Sequence, residues 1–234
     1  MGECSTTIYA ARTVPLEDVG LFSCFYRMIP ESRKRRVESA KVDSERRQAL
    51  AASVLWLHGL KAAGAGDDYA EGRLNVALND AGKPFFPERE NLHFSISHSG
   101  EWALCGFSTV SIGCDVQEHY REDEAILTVA HRYFSEEERR LISSEEDADD
   151  RIRLLYRLWT MKESYAKMVG CGIDDRLPRI GIRSENGCLR AEGLGDAGFL
   201  HELAVAEGYS AACCVAAGGS RPVCALLNLT DLLE

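Results

Sequence analysis

Two stretches of the chain place apolar residues at helical spacing, and they set the coarse layout. From Glu45 to Lys61, Leu50, Val54 and Leu57 fall at i, i+4 and i+7, which predicts a helix with one buried stripe and Asp43 or Ser44 as its N-cap. A second long helix is predicted to start at Asp149 or Asp150, with Ile152, Leu155 and Trp159 on one stripe, and to end at Gly170-Cys171-Gly172. Alternating or apolar runs predict strands at Ile8 to Ala10, Leu74 to Leu78, Leu92 to Ser97, Trp102 to Phe107 and Ser111 to Val116. The last two read as members of one sheet. Shorter helices are expected at Leu16 to Met28 and Glu124 to Tyr133. Ser135 followed three residues later by Glu138 is a capping box. Ile180 to Cys214 reads as further strands with a hairpin turn at Glu185-Asn186-Gly187.

These elements recur. The two long helices are offset by about 108 residues, and Gly100-x-x-Ala103-x-Cys105 returns as Gly208-x-x-Ala211-x-Cys213. The expected fold is α+β, with two similar halves, each a long helix packed on an antiparallel sheet, related by a pseudo-twofold with a cleft between them. The division is placed at 1–118 and 119–234.

Composition narrows the class. The chain has 234 residues, 45% of them hydrophobic, enough for a substantial core. No run approaches the roughly 20 apolar residues of a membrane span, and residues 1–12 carry no hydrophobic signal core. These features predict a cytoplasmic protein without a membrane partner. The nine cysteines show no Cys-x-x-Cys or zinc-like spacing, so Cys105, Cys114, Cys213 and Cys214 read as small core residues. A net charge of -10 argues against nucleic acid as a partner. Against that background, Arg33-Lys34-Arg35-Arg36 is either a solvated helix face or a grip for phosphate or an acidic partner.

The candidate chemistry gathers at a few positions. Glu163 and Lys167 lie one helical turn apart, which fits an ordinary stabilising pair or a catalytic one. Asp115 is an acid in an apolar strand, where it either caps a turn or binds metal, and Gln117 shares its face. Ser97-His98-Ser99 follows no nucleophile-elbow pattern, which disfavours a serine hydrolase. Two carboxylates without thiolates or a histidine triad suit Mg2+ and a pyrophosphate, with Lys83, Ser97, His98 and Arg47 as candidate anion contacts. No Gly-rich loop of the nucleoside-triphosphate type is present.

Taken in order, Gly82-Lys83-Pro84, Phe94-Ser95-Ile96-Ser97-His98-Ser99-Gly100, Ile112-Gly113-Cys114-Asp115, Phe134-Ser135 with Glu138, and Trp159-Thr160-Met161-Lys162-Glu163-Ser164 through Lys167 resemble the 4'-phosphopantetheinyl transferases. The resemblance is to the monomeric, pseudo-dimeric class, the surfactin synthetase activating enzyme type. It implies transfer of phosphopantetheine from coenzyme A to a serine of an apo acyl or peptidyl carrier protein, with release of adenosine 3',5'-bisphosphate. It also implies Asp115, Gln117 and Glu163 as Mg2+ ligands, with Gln117 replacing the family's usual second acid. Glu163 or a metal-bound water would take the serine proton, and Lys167 would serve the leaving phosphate. Lys83, Ser97, His98, Arg47, Arg35 and Lys162 are the implied coenzyme A contacts. The rival expectations are a non-catalytic coenzyme A-binding module and a different magnesium-dependent pyrophosphate enzyme.

Overall fold

The computed structural model describes residues 5–120, 124–172, 180–185, 188–192 and 198–233. The chain opens with strand β1 (Thr6–Arg12), followed by helices α1 (Val19–Met28), α2 (Glu31–Ser39), α3 (Asp43–Ala62) and α4 (Gly66–Ala70). A small hairpin, β2 (Ala77–Leu78) and β3 (Pro84–Phe85), precedes strands β4 (His93–Ser99), β5 (Trp102–Ser108) and β6 (Ile112–Glu118). Helices α5 (Glu124–Tyr133), α6 (Glu136–Ser144) and α7 (Ala148–Val169) come next. Strands β7 (Gly181–Glu185), β8 (Cys188–Glu192), β9 (Gly198–Leu203), β10 (Tyr209–Ala216) and β11 (Val223–Leu227) complete the order.

Two sheets dominate, one ordered β11-β1-β5-β4 and the other β6-β10-β9. The second repeats three connected strands of the first, β1-β5-β4. β6 corresponds to β1, β10 to β5 and β9 to β4, at offsets of 105 to 107 residues, and α7 corresponds to α3 at the same spacing. The predicted α+β duplication is therefore present in the strand order.

Two expectations change. Trp102 to Phe107 and Ser111 to Val116 are not in one sheet, because β6 pairs antiparallel with β10. The division at 118 consequently falls one strand late, since β6 opens the second repeat. Alternation identifies a strand but not its partner, and the Thr109–Ser111 link joins repeats rather than closing a hairpin. The halves also exchange an element: β11 returns from the end of the chain to pair in parallel with β1. The Glu185-Asn186-Gly187 turn is only partly covered, as Asn186 and Gly187 lie outside the described residues.

Each helix is held by its own apolar cluster. Beneath α3, Trp56, Phe86 and Phe94 pack together, with Trp56 and Phe94 ring centroids 5.8 Å apart. Beside α7, Phe134, Leu155, Leu158 and Trp159 form the second cluster. A third belongs to both halves, with Ile8 and Leu104 from the first sheet against Ile112, Cys114, Val116 and Val215 from the second. Fully burying one such side chain contributes about 1.5–3 kcal/mol, so the shared cluster binds the halves into one body. Cys105, Cys114, Cys213 and Cys214 are free and buried, Cys105 in the first cluster and Cys114 and Cys213 in the third.

Candidate active site

Backbone proximity brings the chemistry together. At Gly113 in β6 an added Cβ would lie 1.9 Å from the Ser164 carbonyl oxygen and 2.3 Å from the Met168 amide nitrogen. Only glycine permits α7 to rest its backbone on β6 in this way. Asp115, two residues along the strand, thereby faces the turn of α7 that carries Glu163 and Lys167. Lys167 Nζ lies 2.6 Å from Asp115 Oδ1, 3.9 Å from Glu163 Oε2 and 3.1 Å from Ser97 Oγ.

Asp115 is 1% exposed and both of its oxygens accept hydrogen bonds. Oδ1 takes Lys167 and the Ser97 hydroxyl at 2.7 Å, while Oδ2 takes the Gln117 amide at 3.2 Å. Gln117 thus shares the face expected of it. Glu118 points elsewhere, accepting from the Tyr120 hydroxyl beside the β4–β5 turn.

A cleft of about 700 Å3 opens over this cluster, between the halves. Its walls come from α2, the β2–β3 hairpin, β4, β6, α7 and the glycines that follow α7. Burial first, then the neighbouring Asp115 carboxylate, push the Glu163 carboxyl up to about 7, against the pull of Lys167. For Lys167, burial disfavours the charge, but Asp115 and Glu163 outweigh it and hold the pKa above the ordinary lysine value. At the rim, partial desolvation and then Lys167 lower His98.

Asp115, Gln117, Glu163, Lys167, Ser97, His98 and Lys83 all line the cleft, whereas Arg47, Arg35 and Lys162 do not. Arg47 pairs instead with Glu17 at 3.4 Å. Arg35 is exposed on the outer side of α2. The residues of that helix that enter the cleft are Ser32, Arg33 and Arg36. Arg33 and Arg36 are three apart and so share a face, a signal present in the sequence. Arg33 also lies over the Trp56 ring, 4.3 Å from its centroid, and burial lowers its pKa to about 10.

Lys162 does not line the cleft, for a geometric reason. One residue along a helix is about 100° around it, so Lys162 turns away from Glu163 into the interior. There it is fully buried against Glu138 at 3.0 Å and donates to the Ile180 carbonyl at 2.8 Å. Glu138 also completes the Ser135 capping box and accepts from the Ile182 amide. The pair therefore ties α6, α7 and β7 together.

Lys83 reaches the cleft wall, but its ammonium is engaged. It donates to Met168 O at 2.6 Å, Ser111 Oγ at 2.8 Å and Ile112 O at 3.4 Å, and burial lowers it to about 8. Asn79 donates to the Gly170 carbonyl at 2.9 Å. The β2–β3 hairpin thus caps the C-terminus of α7, which ends with Gly170 in the left-handed region at φ 73.

Two carboxylates around one lysine, one with its pKa raised by burial and then by the other, form a site that a cation would relieve. Asp115, Glu163 and the Gln117 amide fit Mg2+, which takes one or two protein carboxylates and completes its shell from water and ligand phosphate. Among the described residues no group of three His, Cys, Asp or Glu side chains suited to a metal occurs.

The family model of the 4'-phosphopantetheinyl transferase superfamily matches residues 111–214, the span that carries Asp115, Glu163 and Lys167. That segment resembles the superfamily. Its resemblance extends to curated relatives. The 4'-phosphopantetheinyl transferase Sfp of Bacillus subtilis (strain 168) is 34% identical over 110 residues, 47% of each chain. The 4'-phosphopantetheinyl transferase gsp of Aneurinibacillus migulanus is 31% identical over 145 residues, covering 58% of this chain and 56% of its own. The chain spans about half the length of the curated relatives it matches. Among solved structures, a holo-(acyl-carrier-protein) synthase from Bacillus anthracis str. Ames in complex with CoA (3',5'-ADP) aligns with a TM-score of 0.39 at 22% identity. It covers 46% of this chain and 95% of that one.

Proposed function

We propose that this protein is a 4'-phosphopantetheinyl transferase that takes the phosphopantetheine of coenzyme A to a serine of an apo acyl or peptidyl carrier protein. The observation that carries the reading is the Asp115–Lys167–Glu163 cluster at the floor of the cleft. A buried carboxyl beside a second carboxylate and a lysine supplies a proton acceptor at the floor of the cleft. In this reading Glu163 accepts the proton of the carrier serine as its oxygen bonds to the β-phosphorus. The bond from that phosphorus to the bridging oxygen breaks, and adenosine 3',5'-bisphosphate leaves. Lys167, held positive by Asp115 and Glu163, stands where negative charge gathers on the leaving phosphate.

Asp115, Glu163 and Gln117 would hold Mg2+, which supplies charge neutralisation for the pyrophosphate when bound. Arg36, Arg33 and Ser32 at the far wall form the basic end of the cleft, suited to another phosphate of coenzyme A. They take over the role expected of Arg35 and Arg47. Both walls of the cleft come from one chain, which supports a monomer as the working form.

Incubation with coenzyme A, Mg2+ and a panel of apo carrier proteins tests the reading. A carrier heavier by one phosphopantetheine supports it. Unmodified carriers throughout, with coenzyme A still bound, would favour a non-catalytic coenzyme A-binding module instead.

A further inference from the structure

Strand β6 is at the edge of its sheet, with β10 on one side only. In an antiparallel pair alternate residues turn their N–H groups away from the partner, and buried N–H groups need acceptors. Here the acceptors are hydroxyls. The amides of Cys114, Val116 and Glu118 donate to Ser95 Oγ at 3.0 Å, Ser97 Oγ at 3.3 Å and Ser99 Oγ at 3.0 Å. Each serine is two residues from the next on β4, so a ladder of side chains replaces a ladder of backbone.

The corresponding strand of the first repeat shows the contrast. β1 has its free edge covered by β11 through main-chain pairing. Direct pairing of that kind would set β4 about 4.8 Å from β6. Joining the strands through serine side chains instead leaves the space in which the cleft opens, and Ser95, Ser97 and Asp115 line that opening. The middle rung is shared with the chemistry, since Ser97 also donates to Asp115 Oδ1. The outer rungs grip the backbone on either side of Asp115.

From this arrangement we infer that Ser95 and Ser99 are positioning residues, holding β6 at the register and separation that place Asp115 beside Glu163 and Lys167. The inference rests on the transfer reaction proposed above. Its substitutions are Ser95→Ala and Ser99→Ala, with Ser99→Thr keeping the hydroxyl, all checked for an intact melting transition.

Amide hydrogen exchange reads the ladder independently of function. Faster exchange of Glu118 in Ser99→Ala and of Cys114 in Ser95→Ala is expected, with the threonine variant restored. Binding of Mn2+ in the presence of coenzyme A, followed by electron paramagnetic resonance without carrier, should weaken about tenfold in the alanine variants. The Mg2+ concentration for half-maximal transfer should rise by a similar factor, while KM for the carrier stays unchanged. Faster exchange with unaltered metal binding and transfer would overturn the positioning role and leave a structural join. Unaltered exchange would overturn the ladder itself. A wild-type protein that neither binds Mn2+ nor transfers would refute the proposed reaction, and with it the positioning role, while the exchange result would still report on the ladder.

Discussion

Replacing Glu163 by glutamine should make the protein more stable and inactive, and the size of the gain follows from the site. The Glu163 side chain is 15% exposed and its carboxyl is held near 7 against an ordinary 4.5. An acid whose pKa is higher in the folded than in the unfolded state binds its proton more tightly when folded. Relative to the protonated group, its cost to stability is therefore absent below pH 4.5, grows from 4.5 to 7 and is complete above 7. One pKa unit corresponds to about 1.36 kcal/mol, so the full penalty is roughly 3 kcal/mol. Glu163→Gln removes the charge at nearly constant shape and should recover about 2–3 kcal/mol at pH 8. For a chain of this size that raises Tm by roughly 4–12 °C. Scanning calorimetry at pH 4.5 and pH 8 without divalent cations reads the difference. The variant should match the wild type at the lower pH and exceed it at the higher. A Glu163→Gln protein that melts below the wild type at pH 8, or shows the same difference at both values, would refute this electrostatic account.

Transfer should follow the same ionisation displaced downward, because a bound cation favours the charged carboxylate: the pH below which kcat/KM falls should itself drop as Mg2+ is raised. An acid limb that does not move with Mg2+ would remove Glu163 as the base. Arg36→Ala should raise the KM for coenzyme A about tenfold with kcat little changed, whereas Arg35→Ala and Arg47→Ala should shift it less than about twofold. Lys162→Met should destabilise the fold by roughly 3–5 kcal/mol in denaturant unfolding, because it leaves Glu138 charged and buried. The double variant Lys162→Met/Glu138→Leu should regain part of that loss, since both charges are then gone.

The chemistry was more legible in the sequence than the topology. Glu163 and Lys167 at i, i+4 and the Asp115/Gln117 alternation each specify a face, and residues of both faces line the cleft. The capping box at Ser135 and Glu138 was equally local, and it formed. What failed depended on partners distant in sequence. Nothing within Ile112 to Glu118 says that it pairs with β10 rather than β5, and the repeat spacing alone could not locate the division to within one strand. Lys162 carries the same side chain as a phosphate-binding lysine, but a turn of 100° sends it to Glu138. Arg35 stands in a basic run whose i, i+3 members, Arg33 and Arg36, are the ones that face the cleft. Ser95 falls within the predicted strand and Ser99 just beyond its end, and the amides they satisfy lie 19 residues away.

The central claim is that the Asp115–Lys167–Glu163 cluster transfers phosphopantetheine. Mass spectrometry of an apo carrier protein incubated with coenzyme A and Mg2+ tests it most directly, alongside measurement of released adenosine 3',5'-bisphosphate. Wild-type protein should yield modified carrier and nucleotide in equal amounts, and folded Glu163→Gln should yield neither above background. Equal modification by both proteins, or nucleotide release without a change in carrier mass, would contradict the account.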